Sequence, residues 1–120
     1  MLFNLSLDEE VKIVEAILKE KQTFQNLKVL YSFSPGGNSL FNIGLFYFSH
    51  IMVMKNIRGT NNIIQYLEKI ISDYREMDRN QFILTYGKSP FYLIHFFNVA
   101  LAAGTFSESE LKEFIDKIIK

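Results

Sequence analysis

The sequence predicts an all-α protein: a single-domain bundle of five to six helices over residues 1–120, with two central, buried helices. Three observations carry that reading. Apolar residues recur at helical spacing behind recognisable start signals. Two segments of helix length, Leu40–Met54 and Pro90–Ala103, are almost free of charge. The breaks between segments are short and polar and hold most of the glycine.

Ser6 followed by Glu9 forms a capping box, in which each side chain satisfies a backbone N–H of the other. Val11, Val14 and Leu18 then share one face, widened by Ile13 and Ile17, which gives a first helix over about residues 7–21. Thr23 opens a second helix carrying Phe24, Leu27, Leu30 and Tyr31. Val29, Tyr31 and Phe33 also alternate as a strand would, so an α+β alternative stands in which residues 28–33 pair with 81–86 as one short hairpin. Pro35 and Gly36 suit the central positions of a type II turn.

The segment after Ser39 is apolar all round, the pattern of a buried helix. Residues 55–59 break it. Thr60 then caps a helix with Ile63, Ile64, Leu67, Ile70, Ile71 and Tyr74 on one stripe. Gly87 ends the ambiguous segment 81–86. Pro90 suits a first helical position, where its missing N–H costs nothing. Gly104 supplies a left-handed stop. Ser107 and Glu110 form a second capping box, and Leu111, Phe114, Ile115, Ile118 and Ile119 line the last helix.

The totals narrow the function. Thirteen basic and thirteen acidic residues cancel, whereas nucleic-acid binding draws on a basic excess; no nucleic-acid partner is expected. There is no cysteine, hence no thiolate zinc site or disulfide framework, in keeping with a reducing, cytoplasmic setting. The two apolar stretches fall short of the ~20 residues a bilayer demands, and Asn42, His50, His95 and Asn98 interrupt them, so no membrane span is expected. The start of the chain lacks the basic region of a secretory signal.

"SFSPGGNSLFN", residues 33–43, is the one stretch with the look of chemistry. It has no Gly-Lys-Ser/Thr to hold a phosphate. It lacks the second glycine of a nucleophile elbow around Ser39, and His50 lies about 16 Å along the same helix. A connector, with Gly36 and Gly37 shaping the backbone, accounts for every residue. The carboxylates of Asp8, Glu9 and Glu10 suit a helix N-terminus. No catalytic residue, cofactor or metal is expected.

What remains is a small helical module that binds another protein: a bacterial or phage inhibitor of the immunity or antitoxin type, or an adaptor, acting by steric occlusion. Its contacts are expected in the polar breaks, at Lys55 and Arg58 on one side and Arg75, Met77 and Arg79 on the other. The alternative is a small-ligand sensor or enzyme with a pocket between the two aromatic helices, near His50 and His95.

Overall fold

A computed structural model describes residues 3–22 and 39–119, with the side chains of 39–41 excepted. Among the described residues the protein is an all-α globule of six helices without strands. They are α1 (Leu7–Leu18), α2 (Ser39–Lys55), α3 (Thr60–Glu76), α4 (Arg79–Tyr86), α5 (Leu93–Ala102) and α6 (Glu108–Ile119). The expected second helix from Thr23, the strand reading of residues 28–33 and the turn at 34–38 lie outside the described residues.

Both capping boxes form. Ser6 Oγ accepts from the Glu9 N–H at 3.2 Å while Glu9 accepts from the Ser6 N–H at 2.9 Å, and Ser107 and Glu110 repeat the exchange at 3.1 and 3.0 Å. Gly104 ends α5 at φ 73°. The Thr105 N–H reaches Ala100 O and the Gly104 N–H reaches Leu101 O, the pair of bonds that closes a helix on a left-handed residue.

Three boundaries differ from expectation. Residues 81–86 belong to α4, capped by the Asp78 carboxylate on the Gln81 N–H at 2.8 Å; that local bond favours helix over the hairpin alternative. Gly59, not Thr60, is the cap position of α3, at φ 92° and without a side-chain bond. The last apolar helix begins at Leu93 rather than Pro90, because Tyr92 adopts a left-handed conformation, φ 54°.

α1 packs against α2, α3 and α6; α2 packs against α3 and α5; α4 folds back on α3. The stripe of α3 is buried as its spacing requires, from Ile63 through Ile71. Aromatic rings fill the space between the N-terminal segment, α2, α5 and α6: Phe97 lies 5.3 Å from Phe3 and 6.5 Å from Phe114, and Phe96 lies 5.6 Å from Tyr47. α2 and α5 each bury one side in this core. Their other sides reach solvent, through Phe46, Met52, Val53 and Met54 on α2 and Val99 on α5.

Candidate functional site

Side-chain contacts join α2 to α5 and the residues that flank it. At one end Phe46 meets Phe106 edge-on at 5.5 Å. The buried Tyr47 hydroxyl donates to Phe91 O at 2.9 Å, which satisfies a phenol that burial would otherwise orphan. At the other end the Lys55 ammonium sits 5.1 Å over the Tyr92 ring. This places His50 beside His95. Their rings are 4.9 Å apart, and His50 Nε2 and His95 Nδ1 share a hydrogen bond of 2.9 Å.

His50 lines an open groove of about 260 Å³ between the two helices, with Phe46 and Val53 on one bank and Val99 and Ala103 on the other. Phe46, His50 and Val53 recur at positions i, i+4 and i+7, one helical stripe. Val53 is 74% exposed and Val99 44%. Such exposure is ordinary for a single residue; a row of apolar residues along one trough is the informative case.

The histidine pair is a hydrogen-bond unit that tolerates one added proton. The neutral pair and the singly charged pair each offer one N–H to one lone pair, and only the doubly charged pair sets two N–H groups against each other. Burial first, and the neighbouring His95 second, hold His50 below the ordinary imidazole value of 6.5. An NMR titration of the two imidazoles should therefore find His50 midpoint below 6.5. Replacing His95 with Phe should move that midpoint upward by removing the neighbouring charge. A His50 midpoint at or above 6.5 in the unaltered protein would contradict this geometry.

The residues expected to meet a partner fall into two groups. Lys55 and Arg58 lie where α2 gives way to α3. Arg75, Met77 and Arg79 lie at the far end of α3 and face α1. Arg75 pairs with Glu15. Arg79 pairs with Asp8 at 2.9 Å and also reaches the Tyr74 hydroxyl at 3.3 Å. Met77 is half-buried against the core. Reversing the charge of Arg75 and Arg79 would thus disturb helix-to-helix ion pairs, each worth up to about 1 kcal/mol at an exposed position. A second, wider groove of about 470 Å³ runs between α1 and α3. Its charges are of both signs, with Lys21 on Glu68 at 3.1 Å and Arg75 on Glu15.

One buried polar residue escaped the sequence reading. Glu10 does not point to solvent beside Asp8 but turns into the core, where it is 2% exposed. Its Oε1 has no hydrogen-bond partner among the described residues, and burial pushes its carboxyl up to about 7. The signal was present: Glu10 precedes Ile13, Val14 and Ile17 by three, four and seven residues, so it shares their face. Among the described residues no three histidine or carboxylate side chains gather as a metal-ligand set, and no helix is long and apolar enough to cross a membrane.

Comparison of the chain with protein-family models, with curated proteins and with solved structures finds no match.

Proposed function

We propose that this protein is a protein-binding module, an inhibitor or adaptor that acts by occluding its partner, and that it docks through the α2/α5 groove. One observation carries the reading: Phe46, Val53 and Val99 are exposed along a single trough between α2 and α5. A small-ligand pocket fits less well. Such sites typically enclose about 300–1,000 Å³ and surround most of the ligand, whereas this trough is smaller and open along its length. Aromatic and aliphatic side chains in a shallow channel match the centre of a protein interface.

Photo-crosslinking tests it. A benzophenone residue at position 53 should trap one host protein, and the same residue at position 65, exposed on α3, should not. That protein, purified, should bind the native chain with 1:1 stoichiometry. Val53→Arg combined with Val99→Arg should weaken binding at least tenfold while the fold is retained. Equal crosslinking from both positions, or unaltered affinity of the double variant, would remove the groove from the interface.

A further inference from the structure

The chain has two histidines, and the fold brings them together. They stand forty-five positions apart in sequence, yet His50 Nε2 lies 2.9 Å from His95 Nδ1, with 4.9 Å between ring centroids and 34° between ring planes. Each ring is carried by a helix, His50 by α2 and His95 by α5, and the Phe96 ring packs 5.7 Å from that of His50. Groups mounted on packed helices hold their geometry better than groups on loops. His95 is exposed and His50 half-buried, so water reaches the pair. The side chains that line the groove with His50 are apolar or hydroxyl-bearing, and none is acidic.

We propose that His50 and His95 form a two-imidazole site for a divalent transition-metal ion, copper(II) in preference to zinc, bound by His50 Nε2 and His95 Nδ1 and completed by water. Distance is the first argument. An imidazole nitrogen binds such an ion at about 2.0–2.1 Å, so two bonds at a right angle set their nitrogens about 2.9 Å apart, and two at a tetrahedral angle about 3.3 Å apart. The separation of 2.9 Å is that of neighbouring positions in the tetragonal geometry of copper(II) and nickel(II), not that of tetrahedral zinc. Ligand type is the second argument. Imidazole suits copper, nickel and zinc, whereas magnesium, calcium and manganese favour carboxylates, which the groove around His50 lacks. Copper(II) heads the affinity order of these ions, and the chain has no cysteine to compete for it.

The hydrogen bond and the chelate are alternative states of one pair. In the hydrogen-bonded state one ring directs its N–H at the lone pair of the other. In the chelate that ring carries its proton on the far nitrogen, so both facing nitrogens offer lone pairs and no proton is released overall. Structural zinc sites close the ion in with four protein ligands; two ligands leave it exchangeable. The site places a metal where the sequence predicts none, because the two histidines have no ligand spacing along the chain. It is independent of whether a protein docks in the groove.

Copper(II), nickel(II) and zinc chlorides titrated into the whole chain near neutral pH test it, with His50→Phe, His95→Gln and the double variant alongside. His95 is exposed, so His95→Gln retains the fold even if His50→Phe does not. Calorimetry should find one copper per chain, bound at least tenfold more tightly than zinc, and each single variant should lose at least tenfold of that affinity. Electron paramagnetic resonance of the copper form should show coupling to two nitrogens in the native chain and to one in His95→Gln. Because the chelate joins two helices that only folding brings together, copper should raise the melting temperature of the native chain and not that of His95→Gln. Equal copper affinity in the native chain and the double variant would overturn the site and move the ion to the amino terminus or surface carboxylates. A loss confined to one single variant would overturn chelation by the pair. Zinc bound as tightly as copper would overturn the preference drawn from the right-angle spacing. One copper per two chains would overturn the single-chain site in favour of one shared between copies.

Discussion

Glu10→Leu should make the protein more stable at pH 8 than the native chain, by about 3 kcal/mol beyond any difference seen at pH 4. The cause is a carboxyl held in the core with no partner for Oε1 among the described residues. Its pKa in the folded protein is about 7, against 4.5 for the free group. Below pH 4.5 the group is protonated in both states and has no effect on the difference between them. As the pH rises from 4.5 to 7, the unfolded chain gives up the proton while the folded chain retains it, so the unfolded state gains and stability falls. Above pH 7 both states are ionised and the loss is complete. A shift of that size corresponds to about 3 kcal/mol, a large share of the 5–15 kcal/mol typical of a domain.

Glu10→Gln is the control. It keeps the shape and a polar amide but cannot titrate, so its stability should lack the decline between pH 4.5 and 7 even if it gains less than leucine. Urea unfolding at pH 4, 6 and 8 measures all three chains. Parallel stability curves for the native chain and Glu10→Gln would show that the carboxyl is solvated or paired after all. The lowered titration of His50 acts in the opposite direction, since its folded form resists the proton that the unfolded form accepts below pH 6.5. The comparison with Glu10→Gln removes that contribution because both chains share it.

Glu10 also shows where sequence reading stops. Three adjacent acids at the start of α1 look alike as dipole partners, and only their phase against Val14 and Ile17 separates the one that turns inward. Local signals carried most of the fold. The α3 stripe, the two capping boxes and Gly104 each depend on residues within a few positions of one another, and physics at that range is written into the spacing. The hairpin alternative for 81–86 failed because the decisive bond, Asp78 to Gln81, is itself local and went unread. The Tyr92 turn is different. A left-handed tyrosine is unfavourable on its own, and here it accompanies a Phe91 ring that is fully buried and a Phe91 carbonyl held by Tyr47 from another helix.

The candidate site was half legible. His50 and His95 could be picked out as the polar residues of two aromatic segments, but their meeting depends on how α2 packs on α5, which no periodicity encodes. The all-round apolar pattern of α2 implied full burial, and the structure instead leaves one side to solvent. A hydrophobic count cannot tell a face reserved for the core from one reserved for a partner.

Phe97→Ala and Val53→Ser separate these two uses of apolar residues. Phe97 is fully buried and stands where the N-terminal segment, α5 and α6 meet, with Phe3, Phe96 and Phe114 within 5.3, 5.6 and 6.5 Å of its ring. Truncation removes the transfer energy of the ring and leaves a cavity that rigid aromatic neighbours fill poorly, which should cost about 3–5 kcal/mol. Val53 lies in a helix of similar apolar character but is 74% exposed. Its loss should change stability by no more than about 0.5 kcal/mol, the usual range for a surface position. Urea midpoints for the two variants give the comparison directly. A Phe97→Ala loss below about 1 kcal/mol would mean that the aromatic core is not packed around this ring. A Val53→Ser loss above about 1.5 kcal/mol would mean that the fold itself uses the α2 bank of the groove, and binding defects at that position would then reflect folding. With Phe97 costly and Val53 free, the exposure of Val53 has no structural task that accounts for it, and weakened binding by Val53→Arg reports on the surface alone.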